Sequence, residues 1–207
     1  LVILVLVLGT PATAGAYFRE WASSAALYNA ADGDMVHVAD YLNEVDSGST
    51  ALYVASQHYR HPTVAFLAEN YDRVQWLVDG QTLVFPSNED ALFVFPRSAS
   101  KGLAWVASVL PDDALVAAPS GPDQSPDFHA YRVCGEGHPM PERSVRANFR
   151  DTVELLGYTA AAHPRSGGDV EVAVWWKVVG DAARQDYRPI LRLADRWDFV
   201  WGESQPF

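Results

Sequence analysis

Gly135-Glu136-Gly137-His138-Pro139-Met140-Pro141 is the stretch on which the fold of this 207-residue chain turns. Two glycines and two prolines in seven residues interrupt any regular element. The texture differs on its two sides. Downstream, apolar residues alternate. Val170, Val172, Val174 and Trp176 share one face of a period-two strand, and Glu171, Ala173, Trp175 and Lys177 share the other. Short alternating strands separated by Gly/Pro turns predict a jelly-roll-like β-sandwich over residues 144–207. Trp176, Leu156 and Leu193 are expected in its core, with Glu171 and Lys177 facing solvent.

Upstream, short apolar runs lie between stretches of helical spacing. Residues 128–134 read as a strand closing a first domain, and 111–126, with four prolines, as a surface loop. Helices are predicted over 17–27, over 36–45, over 63–68 starting from Pro62, and over 100–109 with Ser100 as the cap. Strands are predicted over 50–55, 73–77, 82–85 and 91–95. That order predicts a small α/β layer. The expected organisation is an α/β domain over 17–134, a linker over 135–143 and the sandwich over 144–207.

The N-terminal eighteen residues carry no charge. They open with eight aliphatic residues, Leu1 to Leu8, and pass through small residues to Ala16. A membrane-crossing helix needs about twenty apolar residues, so 1–16 are expected to be the end of one. The other reading is a secretory signal, because Ala12-Thr13-Ala14 has the form of a cleavage site. Both readings place the rest of the chain outside the cytoplasm. The expected location is the cell membrane, with this region on the extracytoplasmic side and the membrane as a partner through the N-terminal helix. No Lys or Arg cluster follows the apolar run, in keeping with translocation.

Composition excludes several functions. A formal net charge of −11 repels a phosphate backbone and an anionic lipid surface, so no nucleic-acid partner is expected. The single cysteine, Cys134, rules out an internal disulfide and is expected to be a small buried residue. His58-x-x-His61 and Cys134-x-x-x-His138 are two loose pairs, short of the three or four convergent ligands zinc requires. No metal and no cofactor are expected. Neither a nucleophile elbow nor a Gly-rich phosphate loop is present in the sequence. The carboxylate pairs Asp32/Asp34, Asp112/Asp113 and Asp195/Asp198 sit in turn-like contexts, where Asp satisfies local backbone groups. No catalytic residue is therefore assigned. Trp175, predicted on the polar face of its strand, is the candidate contact for a sugar ring.

Three groups of segments carry a resemblance. The first is Tyr17-Phe18-Arg19-Glu20-Trp21-Ala22 with Val38-Ala39-Asp40-Tyr41-Leu42. The second is His61-Pro62-Thr63-Val64-Ala65-Phe66-Leu67, Asp79-Gly80-Gln81-Thr82-Leu83-Val84-Phe85-Pro86 and Asp90-Ala91-Leu92-Phe93-Val94. The third is Leu155-Leu156-Gly157-Tyr158, Val174-Trp175-Trp176 and residues 186–195. Together they resemble the C-terminal extracytoplasmic region of multi-spanning bacterial glycosyltransferases of the protein-mannosyltransferase, or family-39, type. The resemblance implies a polyprenyl-phosphate sugar donor and a glycan, lipid or protein acceptor. It also implies that the general base is an acidic residue in an early extracytoplasmic loop between membrane helices, which no residue here matches, and, because Glu203 to Phe207 resemble a mid-sandwich stretch, that the sandwich is incomplete. A secreted or anchored carbohydrate-binding or adhesion module is the alternative.

Overall fold

The computed structural model describes residues 10–11, 13–57, 60–78, 82–135, 137–160, 170–180 and 190–203. It is a mixed α/β fold with one five-stranded sheet, two smaller sheets and no closed barrel among the described residues. The chain divides into two compact units, Leu1–Pro139 and Met140–Phe207. Most of the predicted membrane stub, residues 1–9 and 12, lies outside the described residues. No described helix is long and apolar enough to cross a membrane.

The first unit is built on β1 (Thr50–Ser56), whose residues are all buried. Both faces of such a strand must be covered, and a period of two sorts its side chains between them. Leu52 and Val54 enter one core with Val74, Leu92, Val94, Phe128 and Ala130. Ala51, Tyr53 and Ala55 enter a second core with Leu77, Phe93, Phe95, Tyr131 and Val133. Strand β2 (Val74–Val78) and strand β3 (Asp90–Pro96) flank β1 in parallel. Strands β4 (Leu115–Ala117) and β5 (Phe128–Val133) continue the sheet antiparallel, giving the order β2-β1-β3-β5-β4.

Helices cover both faces of this sheet. Helix α1 (Ala16–Trp21) is wound as a π-helix, and α2 (Ala25–Ala30) follows, capped by Ser24, whose hydroxyl accepts from Leu27 N–H at 3.2 Å. Two short helices thus replace the single one expected over 17–27. Helix α3 (Asp34–Glu44) buries Met35, Val38, Ala39 and Leu42 on the first core, while Val36 points outward. Helix α4 (Pro62–Leu67) begins with proline at its first position and is capped by His61. On the second core lie a 3₁₀ turn over Arg97–Gly102 and helix α5 (Leu103–Val109). The 3₁₀ turn displaces the start of the α-helix from the expected Ser100 to Leu103.

Two further expectations are corrected. Residues 82–85 form no strand. The chain must pass from β2, on one side of β1, to β3 on the other. It does so across a sheet face, where Leu83 and Phe85 pack on the second core. The proline-rich stretch over 111–126, expected to be a loop alone, also contributes the edge strand β4.

The second unit contains β6 (Arg143–Phe149), β7 (Val153–Ala160) and β8 (Val172–Val178) in one antiparallel sheet. A separate hairpin joins β9 (Arg192–Ala194) to β10 (Val200–Glu203). Trp176 shares a face with Val172, Val174 and Val178, as the alternation predicts. That face is not a core, however: Trp176 is 39% exposed and Leu193 on β9 is 58% exposed, while Leu156 is half-buried. Burial needs an opposing layer as well as an apolar face, and no described strand pairs the three-stranded sheet with the hairpin. Glu171 and Lys177 are exposed.

Candidate functional site

The carboxyl ends of β1 and β3 are the point where the chain's connections diverge to opposite sides of the sheet, the usual ligand edge of a parallel α/β layer. Polar side chains from four segments meet there. Asp127 immediately precedes β5. Its N–H donates to Pro119 C=O at 2.8 Å and its own C=O accepts from Arg97 N–H at 2.7 Å, so its backbone is fixed before its side chain is considered. The carboxylate has no solvent exposure. A buried carboxylate is tolerated only where donors surround it. Here Tyr28 Oη–H donates to Oδ2 at 2.9 Å from α2, and His37 Nδ1 lies 2.6 Å from the same oxygen on α3. An ionised carboxylate only accepts, so the imidazole proton sits on Nδ1. Arg97 Nη2 stands 3.4 Å from Oδ1, a Coulombic contact without hydrogen-bond alignment, and Oδ1 has no hydrogen-bond donor.

Arg97 ties in the surface side of the cluster. Its Nη1 donates to both oxygens of Asp123, at 3.1 and 3.0 Å, and its Nη2 donates to Asn29 Oδ1. The Ser125 N–H, then the Asn29 amide and the Arg97 charge, hold the Asp123 carboxyl below the usual carboxylate range. Burial, followed by the bond to Asp127, pushes the Tyr28 phenol far above its ordinary value, so it remains a donor. Asp34, the first residue of α3, is buried and accepts from Ser98 N–H at 2.8 Å. Two glycines make room. A Cβ at Gly121 would lie 2.2 Å from Asp127 Oδ1, and one at Gly33 would lie 2.4 Å from the Tyr28 ring. A second link crosses from the α2–α3 turn to α4, where His61 Nε2 is 3.5 Å from Asp32 Oδ2.

Asp127 and His37 have the spacing of a carboxylate that orients an imidazole base. Both described contacts of His37, to Asp127 and at 3.3 Å to Tyr28 Oη, are made by Nδ1. The groups are bonded chiefly to one another. The arrangement is a clasp that joins α2, α3, the turn after β3 and the loop before β5.

The other residues singled out from sequence fall elsewhere. Trp175 lies on β8, half-buried and opposite Gly157. Its neighbour Trp176 is the more exposed indole, with the Phe149 ring 5.8 Å away on the same face. His58 lies outside the described residues, and His61 serves as the cap of α4, accepting from Thr63 N–H through Nδ1. Cys134, expected to be buried, is exposed at the end of β5. It borders an open recess of about 520 Å³ lined also by Ser87, Asn88, Glu89, Asp90 and Gly135, at the amino end of β3. No group of three metal-ligating side chains occurs among the described residues. Asp195 accepts from Trp197 and Phe199 N–H within the hairpin turn, a local backbone role.

Sequence reasoning missed the Asp127 cluster, because its members are up to 99 positions apart. The one local signal is the spacing of Asp34 and His37, three residues apart on one helical face. The class defined by this geometry is a mixed α/β protein with a buried ionic clasp at the carboxyl edge of its main sheet. Comparison with known proteins returns no match, whether to a family model, a curated protein or a solved structure.

Proposed function

We propose that this chain is an accessory extracytoplasmic region of a membrane glycosyltransferase, non-catalytic by itself. The larger enzyme would transfer a sugar from a polyprenyl-phosphate carrier to a glycan, lipid or protein acceptor. The observation that carries the reading is the self-bonded clasp. At the sheet edge where an α/β layer would take a ligand, the polar groups hold the N-terminal helices to the sheet instead. Those helices follow residues 1–16, which on this reading are the end of a membrane-crossing helix. The second unit is then a β-sandwich, of which β6, β7 and β8 form one layer. Trp175 contributes to acceptor contact, and its stacking energy of about 1 kcal/mol keeps binding weak, on the order of millimolar.

The test has two arms. The purified chain is expected to leave a polyprenyl-phosphate sugar intact, and turnover abolished by substituting one Asp overturns the non-catalytic reading. Titration with glycans is expected to shift the amide signals around Trp175. If no shift appears, the region's role is limited to structural support.

One observation favours a second reading, a secreted or anchored carbohydrate-binding or adhesion module. Trp176 and Phe149 present two adjacent exposed rings on one sheet face. Glycan shifts centred on Trp176 and Phe149, with none at Trp175, would select it.

A further inference from the structure

Helix α1 carries an aromatic cluster that neither core of the first unit uses. Tyr17 is 51% exposed, Phe18 71% and Trp21 50%. They are not scattered: the Tyr17 ring lies 4.9 Å from the Phe18 ring and 4.9 Å from the Trp21 ring. Nothing on this helix is buried. Isolated exposed apolar residues are ordinary, but Phe18 and Trp21, each packed against Tyr17, form with it a patch.

The sequence around the patch indicates what covers it. Every residue up to Phe18 is uncharged, and the next two, Arg19 and Glu20, are both charged. The step in polarity therefore falls among the aromatics themselves. Tyr and Trp combine an apolar ring with a polar atom, and their free energy is lowest where hydrocarbon meets water. The dimensions agree. Six residues rise by at most about 9 Å, comparable to the roughly 5–8 Å of headgroup layer on each side of a bilayer.

Other occupants fit less well. An anionic surface is disfavoured by a net charge of −11, with Arg19 the one basic residue on this helix. A second copy of the chain would gain little. Three rings already about half exposed offer roughly 300–400 Å², against about 800 Å² per partner in a stable interface.

We infer that Tyr17, Phe18 and Trp21 form an interfacial anchor that seats α1 in the headgroup layer of an uncharged lipid surface. The inference rests on the membrane location in the reading above and adds the depth and the residues.

The experiment uses the full 207-residue chain with phosphatidylcholine vesicles whose acyl chains are brominated either near the headgroup or near the bilayer centre. The chain should float with the vesicles. Its tryptophan emission should be quenched more by the shallow bromines than by the deep ones, and in Trp21→Phe the quenched component should disappear while flotation persists. Replacing part of the lipid with phosphatidylglycerol should not increase binding. Flotation with unchanged quenching in Trp21→Phe, or with stronger quenching from the deep position, overturns the anchor and leaves the membrane reading intact. Absence of flotation overturns both.

Discussion

Removing the Asp127 carboxylate tests whether the clasp holds the first unit together. In Asp127→Ala, Tyr28 Oη and His37 Nδ1 lose their acceptor, and Arg97 loses the buried half of its charge partners. Breaking a buried ion pair from one side costs about 3–5 kcal/mol. The lower end applies here, because the Arg97 side chain is 24% exposed and that of His37 43% exposed, so both recover some hydration. A loss of about 3 kcal/mol corresponds to a fall in Tm of roughly 6–12 °C for a domain of this size. The control is Asp123→Ala. That side chain is 33% exposed and sits on the outer side of Arg97, so its loss should lower the Tm much less than the loss of Asp127. Thermal and urea unfolding of the two variants beside the wild type give the comparison. If Asp127→Ala unfolds together with Asp123→Ala, the buried bonds do not hold α2 and α3 to the sheet and the reasoning fails.

In the second unit, Gly157→Ala would place a Cβ 2.2 Å from Arg143 C=O and 2.7 Å from Pro141 Cγ. It should cost about 1–3 kcal/mol, seen as a lower urea midpoint for that unit. Trp176→Ala should cost roughly 1–2 kcal/mol, below the 3–5 of a buried aromatic, because its indole is 39% exposed. A loss above that range in urea unfolding would mean the face is covered in solution. Alkaline pH should weaken the first unit. Burial raises the Tyr53 phenol above its ordinary 10.0, so the unfolded chain ionises first and stability is lost as pH rises through the folded value. Each such tyrosine contributes a slope of about 1.4 kcal/mol per pH unit in that window. Tyr53→Phe should flatten the fall in stability that begins as pH rises past 10.0, and an unchanged slope would contradict the assignment.

The readable parts of this fold are those set by neighbours along the chain. The buried run of β1, the proline that opens α4 and the alternation of β8 follow from spacing and local backbone preference, and each appears in the structure near its expected place. The face assignment in β8 was readable too, since period two puts Trp176 with Val172 and Val174. Its burial was not, because burial depends on a second layer that strand periodicity does not specify. Residues 82–85 have the composition of a strand, yet they cross a sheet face, and only the sheet order places them there. The Asp127 cluster lies furthest from sequence reach. Tyr28, His37, Arg97 and Asp127 carry no shared spacing, and each alone reads as an ordinary polar residue. They become one feature because the order β2-β1-β3-β5-β4 brings the end of β3 beside the start of β5, under the first turn of α3. Local patterns were therefore legible because short-range sterics and periodicity act through adjacent residues. The clasp and the exposed indole were decided by tertiary structure, because a hydrogen bond or a buried face needs a partner whose position the whole chain determines.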